Sequence, residues 1–116
     1  MGDLTKNFSR SEFACKCKCG YDTIDYELVV ILQEVADHFD KPVKITSGCR
    51  CFNHNKMVGG KPESQHLLAR AADIQVIDID PSEVRAFLNS KYPNRLGIGS
   101  YETFTHVDTR KGKARW

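Results

Sequence analysis

One amphipathic segment constrains the fold of this chain more than any other. Its apolar residues recur every three or four positions, at Leu28, Ile31, Leu32, Val35, Ala36 and Phe39. This spacing is that of one face of an α-helix. Asp25 stands where a helix N-cap is expected, and Pro42 cannot continue a helix. The pattern therefore predicts a helix over about residues 25–39, whose apolar face is buried against another element.

The rest of the sequence alternates between strand-like and helix-like segments. The predicted elements are a short helical turn over 8–14 with Ser9 and Glu12 at capping-box spacing, a strand over 43–46, an ordered loop over 47–63, a short helix over 64–71, a strand over 72–77, a helix from Pro81 to about Ser90, and strands near 95–101 and 103–109. This order predicts an α+β fold with helices on one side of a small, mostly antiparallel sheet.

Length and charge exclude several classes of protein. The chain has 116 residues, enough for one hydrophobic core, so we expect a single domain over 1–116. The formal net charge of +2, from 17 basic and 15 acidic residues, is too balanced to indicate nucleic-acid binding. No apolar run approaches the roughly 18 residues of a membrane span, and the segment after Met1 lacks the pattern of a secretory signal. We therefore expect a monomer made in the cytoplasm, with no membrane or nucleic-acid partner.

The cysteines form two clusters whose state the sequence leaves open. They are Cys15, Cys17, Cys19, Cys49 and Cys51. Because the number is odd, at least one of them cannot pair within the chain. The alternating spacing lacks the two-residue gap of most zinc knuckles. Disulfides between the clusters and reduced thiols are both compatible with this pattern, and a structural metal is a third alternative.

His66 and Asp73 are the first candidate metal ligands. On one continuous helix they would be about 10 Å apart along the axis, because each residue rises ~1.5 Å. Ligands of one zinc ion must each lie about 2.0–2.2 Å from it. The pair can share a metal only if the helix ends between them and the chain doubles back. The small residues Ala69, Ala71 and Ala72 allow that close approach.

His106 and Asp108 form the second half of this constellation. Strand alternation directs both side chains to one face. Two histidines and Asp73 would leave a fourth zinc position open for water, which is typical of catalytic zinc. Zinc lowers the pKa of such a water to about 7 and polarises a carbonyl group. Asp108 would orient a ligand, or else be a solvated acid at the end of a strand.

Several motifs in order resemble one family of peptidases. They are Thr46-Ser47-Gly48-Cys49-Arg50, His54-Asn55, Val58-Gly59-Gly60, the run from Ser64 to Asp73, Gly97-Ile98-Gly99, and the run from Phe104 to Arg110. Together they resemble the D-alanyl-D-alanine carboxypeptidase family of zinc peptidases, peptidase family M15, over roughly residues 8–116. The resemblance implies a fold like that of hedgehog domains and these peptidases.

The resemblance also implies roles for individual residues. It makes His66, Asp73 and His106 the zinc ligands and Arg50 the cation that holds substrate and stabilises the developing oxyanion. Two positions depart from the pattern of the family. Ala69 stands where relatives often have glycine, and Thr103 stands where many have an acid three residues before the last histidine.

The departure at Thr103 leaves the general base open between Glu102, the nearest acid, and Asp108. In the long loop, His54 would contact substrate or hydrogen-bond within the loop. The aromatic residues Tyr101, Phe104 and Trp116 would line the cleft, with core packing as the alternative for Phe104.

The function implied by the resemblance is hydrolysis of peptide bonds in peptidoglycan stem peptides or cross-links, by a zinc enzyme that acts on the cell wall after release. A bacteriophage endolysin is the context that we expect. The resemblance allows carboxypeptidase, D,D-endopeptidase or L-alanine–D-glutamate cleavage. One alternative is a catalytically inactive, zinc-containing binding module of the same fold, for which hedgehog domains are the precedent. Another is a cysteine-cluster zinc module that binds nucleic acid, which the near-neutral charge disfavours.

Overall fold

The computed structural model describes residues 4–16, 24–59, 66 and 70–116, without the side chains of 52–54. A 3-10 helix over Arg10–Phe13 comes first. It is followed by α1 (Tyr26–Phe39), β1 (Val43–Ser47), α2 (Phe52–Met57), β2 (Ala71–Val76), α3 (Pro81–Lys91), β3 (Leu96–Ser100), β4 (Thr105–Asp108) and β5 (Lys113–Arg115). Within these residues, no helix has both the length and the apolar character needed to cross a membrane.

The five strands form one sheet in the order β1-β2-β4-β3-β5. The first four are antiparallel to their neighbours, and β5 pairs in parallel with β3. The predicted α+β class and the mostly antiparallel sheet are confirmed. The edge strand β5 was not predicted, because its three residues have no apolar alternation. It is held by its backbone pairing with β3.

The predicted first helix is confirmed as α1. The Asp25 side chain accepts a hydrogen bond from the Glu27 amide at 3.2 Å, and the helix ends at Asp40, which is left-handed with φ of 51°. Its predicted apolar face is buried, apart from the half-buried Phe39 at its end. A fully buried Leu or Ile contributes about 1.5–3 kcal/mol, so this face alone is a large part of the core.

Strand alternation separates the core from the functional face of the sheet. Ile74, Ile98 and Val107 point toward α1 and α3 and belong to the main apolar cluster. Their neighbours Asp73 and His106, which are paired across β2 and β4, point the other way. The sheet therefore packs its helices on one face and leaves the other for polar side chains.

Helix α3 begins as predicted. Its N-cap, Asp80, accepts a hydrogen bond from the Ser82 amide at 2.9 Å, and Pro81 occupies the first turn. The turn near the N-terminus is also confirmed, since the Glu12 carboxylate accepts the Ser9 amide at 2.6 Å, as in a capping box.

Two predicted segments differ from the structure. The loop predicted over 47–63 contains the six-residue helix α2. Most of the predicted helix 64–71, including Ala69, lies outside the described residues. Of the remainder, His66 is in a 3-10 turn and Ala71 already begins β2, because it pairs with Asp108 across the sheet.

Candidate metal centre

The structure brings His66, Asp73 and His106 together on the polar face of the sheet. Their candidate ligand atoms all lie within 4.8 Å of one another, and all three residues are buried. Asp73 Oδ1 lies 3.3 Å from His66 Nε2 and 2.9 Å from His106 Nδ1. Asp73 and His106 are direct cross-strand neighbours, whereas His66 reaches them from the turn before β2.

Each histidine has its second ring nitrogen held by an acceptor. His66 Nδ1 lies 2.6 Å from the Gly48 carbonyl oxygen, and His106 Nε2 lies 2.7 Å from Asp108 Oδ2. The Gly48 carbonyl can only accept, so it holds a proton on His66 Nδ1, and Asp108 is an acceptor for a proton on His106 Nε2. In a metal-binding state each ring is neutral and carries only that proton. The nitrogens that face the centre, His66 Nε2 and His106 Nδ1, then have lone pairs available to a metal.

This donor set fits a metal ion. Two ligands about 2.1 Å from one tetrahedral ion are roughly 3.4 Å apart. The distances of 3.3 and 2.9 Å from Asp73 to the two histidines are close to that value. One carboxylate and two imidazoles with their outer nitrogens already engaged are the arrangement expected of a metal site with its supporting shell in place.

The charges at the centre are strongly coupled. Burial alone would raise the pKa of Asp73, but the hydrogen bonds from His106 and His66 outweigh it and hold that pKa well below its usual range. Burial would likewise lower the pKa of His106, yet its contacts with Asp108 and Asp73 raise it. The Asp73 carboxylate is therefore anionic at neutral pH, as a metal ligand must be.

Arg50 lies beside the metal centre. Its Nη2 is 3.6 Å from Asp73 Oδ2, while Nε donates to Ser47 Oγ and Nη1 to Asn55 Oδ1, both at 3.2 Å. Its amide donates to the His66 carbonyl at 3.0 Å. The sequence predicted Arg50 at this site but not Asn55, whose buried position depends on the unpredicted helix α2.

Gly48 is required where β1 leaves the sheet. A Cβ at this position would lie 2.6 Å from the Phe13 Cα, closer than real Cβ atoms approach. Glycine therefore lets the chain pass the Phe13 backbone and present its carbonyl to His66. From the sequence, Gly48 was expected only as part of its motif.

The cysteines of the described segments lie together beside this crossing. Cys15 and Cys49 are buried together with Cys51 packed against them, and the Cys51 amide donates to Cys15 Sγ at 3.4 Å. The Cys49 thiol donates to the Phe13 carbonyl at 3.1 Å. Cys17 and Cys19 lie outside the described residues.

The two candidates for the general base lie in different environments. Asp108 is fully buried and contacts His106, Arg110 and the Gly97 amide. Burial alone would raise its pKa, but the bonds from Arg110 and His106 hold it well below the usual range. Glu102 is exposed in the connection between β3 and β4, next to Thr103.

Aromatic side chains border the centre. The Trp116 ring lies 5.1 Å from the His106 ring, and its Nε1 donates to the Tyr101 hydroxyl at 2.8 Å. Tyr101 stacks on Phe104 with ring centroids 4.4 Å apart. Both Trp116 and Tyr101 are 43% exposed, so part of each side chain is accessible to a ligand. A Cβ on Gly99 would lie 2.5 Å from Trp116 Nε1, so glycine makes room for the indole.

Of the other two histidines, His38 is described with its side chain and lies outside this arrangement. His38 is exposed and stacks on Phe87 with ring centroids 4.1 Å apart. The His54 side chain lies outside the described part of the chain, so its predicted role is not tested. Arg110, for which the sequence predicted no role, donates two side-chain hydrogen bonds to Asp108. The only signal for it was its position at the end of the His106 motif.

Comparison with known proteins adds one finding. The sequence matches a family model described as Peptidase M15 over residues 6–108, a span that contains all three candidate ligands. A comparison with curated proteins gave no match.

Proposed function

Because the chain belongs to the peptidase M15 family, we propose that it is a zinc peptidase that hydrolyses peptide bonds in the stem peptides or cross-links of bacterial peptidoglycan. The observation that carries this proposal is the convergence of His66, Asp73 and His106, each with its supporting contacts. The wall would then be the site of action, with a bacteriophage endolysin as the proposed context.

His66 Nε2, Asp73 and His106 Nδ1 would hold the zinc ion, with a fourth position open as in catalytic sites. Bound zinc would polarise the scissile carbonyl and lower the pKa of a water molecule. Arg50 would stabilise the negative charge that develops on the carbonyl oxygen. Its guanidinium suits this task because it keeps its charge and is oriented by Ser47 and Asn55.

Glu102 is our proposed general base. It would take the proton of the attacking water and deliver it to the leaving amine. This exchange needs a carboxylate that solvent and substrate can reach. Glu102 is exposed beside β4, whereas the oxygens of Asp108 are buried and engaged by His106 and Arg110.

The exposed parts of Trp116 and Tyr101 would form one side of the substrate cleft. Trp116 lies next to His106, and Tyr101 is hydrogen-bonded to Trp116, so both would border a peptide whose carbonyl is placed at the metal. Flat aromatic faces suit the extended backbone and small side chains of a stem peptide.

A binding module of the same fold is the second candidate function. The observation that favours it is Thr103, because many relatives that the sequence resembles have an acid at that position. Such a protein would bind zinc and the peptides of the bacterial cell wall but would not hydrolyse them.

The test is release of new amino groups from purified peptidoglycan by the zinc-loaded protein. We expect release by the wild type and none by His66→Ala, while His38→Ala, which changes an exposed histidine away from the centre, behaves as the wild type. Mass spectrometry of the fragments identifies the bond. Stoichiometric zinc binding with no release from walls of several chemotypes would contradict the peptidase and favour the binding module.

A further inference from the structure

We propose that Arg110 is a positioning residue for the metal ligand His106 and that it acts through Asp108. This inference rests on the proposed metal centre. Arg110 is not one of the three metal ligands, the cleft aromatics Trp116 and Tyr101, or the candidate bases Glu102 and Asp108.

The first step is the dependence of His106 on Asp108. Asp73 and Asp108 lie on opposite edges of the imidazole, 2.9 Å from Nδ1 and 2.7 Å from Nε2. For Nδ1 to offer a lone pair to a metal, Nε2 must carry the proton and donate it to Asp108. An acceptor at this place therefore fixes both the rotation of the ring and the nitrogen that faces the metal.

The second step is the dependence of Asp108 on Arg110. Arg110 Nε donates to Oδ1 at 2.8 Å and Nη2 to Oδ2 at 2.7 Å, so the guanidinium grips both carboxylate oxygens. The Arg110 amide donates to Oδ1 as well, at 3.1 Å. Asp108 is 0% exposed, and removing the partner of a buried charge is strongly destabilising. Without Arg110 the Asp108 carboxylate would lose the two side-chain hydrogen bonds that fix its orientation, and His106 would no longer have an oriented acceptor.

The backbone around Asp108 and Arg110 leaves space for both side chains. A Cβ on Gly97 would lie 2.5 Å from Asp108 Oδ1 and 2.6 Å from Arg110 Nε, so only glycine leaves room for both side chains. The Gly97 amide also donates to Oδ1 at 3.2 Å. On its other side the guanidinium lies 5.1 Å from the centre of the Trp116 ring, which itself contacts His106. Arg110 is thus held between Asp108 and Trp116.

The experiment measures zinc affinity by competition with a chromophoric chelator. We expect Arg110→Met to lower zinc affinity about 10–100-fold, the usual effect of losing a residue that supports a metal ligand. Arg95→Met is the matched control. It removes the same charge from an exposed ion pair with Glu27 and should bind zinc as the wild type does.

A double variant tests the route through Asp108. If Arg110 acts through that carboxylate, Arg110→Met combined with Asp108→Asn should lose no more affinity than Asp108→Asn alone. Losses that add in full would overturn the proposed route. Wild-type zinc affinity in Arg110→Met would overturn the inference itself.

Arg110→Lys covers the case in which Arg110→Met does not melt cooperatively. Lysine keeps the charge but cannot bind both carboxylate oxygens in a fork. We expect Arg110→Lys to fold and to bind zinc several-fold more weakly than the wild type. Unchanged affinity in this variant would show that the fork has no positioning role.

A proton NMR measurement separates this inference from the proposed function. The His106 Nε2 proton should give a resonance protected from solvent exchange in the wild type, and Arg110→Met should lose it. If the wild-type protein binds no zinc, the proposed function fails, and this resonance still decides the role of Arg110. Retention of the protected resonance in Arg110→Met would refute it.

Discussion

Gly48→Ala is the substitution that most directly tests how the fold holds the metal centre. The new Cβ would lie 2.6 and 2.8 Å from the Cα and carbonyl carbon of Phe13. These are backbone atoms, which cannot rotate away as a side chain can, so β1 and the 3-10 helix must separate. Forced overpacking of this kind costs about 1–3 kcal/mol. At ~4 °C per kcal/mol for a domain of this size, the melting temperature should fall by about 4–12 °C.

The same substitution should weaken metal binding. Separation from Phe13 moves the Gly48 carbonyl, which is the partner of His66 Nδ1 at 2.6 Å. Loss of such a partner lowers metal affinity about 10–100-fold. Thermal melting of the metal-free protein and zinc competition with a chelator measure the two effects separately.

Gly59→Ala is the control for this pair of measurements. Gly59 has φ of +73°, and among the described residues beyond its chain neighbours no atom lies within 4 Å of the place of an alanine Cβ, so alanine there is strained without a clash with these residues. It should lose about 1–2 kcal/mol of stability and keep its zinc affinity. If Gly48→Ala instead melted like the wild type and bound zinc equally well, the role assigned to the Gly48–Phe13 crossing would be refuted.

Three further predictions concern the chemistry and the pH response. Glu102→Gln should lower kcat about 10²–10⁴-fold without changing the zinc stoichiometry. Glu83→Gln on α3 is the control and should leave kcat unchanged. If Glu102→Gln had the kcat of the wild type, Glu102 would be excluded as the general base. Burial alone would lower the pKa of His106, but its two carboxylate partners raise it, so a proton competes with zinc for this residue. The zinc affinity should therefore fall as the pH drops through the raised pKa. Zinc affinity that does not change with pH in chelator competition would contradict this prediction. Burial and the hydrogen bond to Glu34 raise the pKa of Tyr92 from 10.0 to about 12, so its stabilising effect is present below pH 10.0 and is lost as pH rises through about 12. In thermal melts at increasingly alkaline pH, the melting temperature of the wild type should therefore fall more than that of Tyr92→Phe.

The sequence predicted most elements because their signals are local. Helix α1 follows from an apolar face of 3.6-residue period and an aspartate cap, and α3 follows from Asp80-Pro81. Both signals lie within one or two turns of the residues they affect. Helix α2 and strand β5 were missed because short elements carry little periodicity and depend on contacts with distant segments.

At the candidate site too, some features follow from local sequence and others depend on distant segments. The types of ligand and their order along the chain were readable from motifs, so His66, Asp73, His106 and Arg50 could be named from the sequence. The sequence could not predict which nitrogen of each histidine faces the centre, because that depends on acceptors such as the Gly48 carbonyl.

The sequence by itself determined the fold class, the family resemblance and the set of candidate ligands, since residue type, spacing and helix caps are properties of short stretches. Only the tertiary structure decided that Asp108 is buried beneath His106 with Arg110 on its carboxylate, and that Glu102 is exposed. The register of β3 against β4 sets Gly97 opposite Asp108 and Gly99 opposite His106. A shift of one residue would send these side chains to the other face of the sheet, and the pattern of a single strand does not specify its partner.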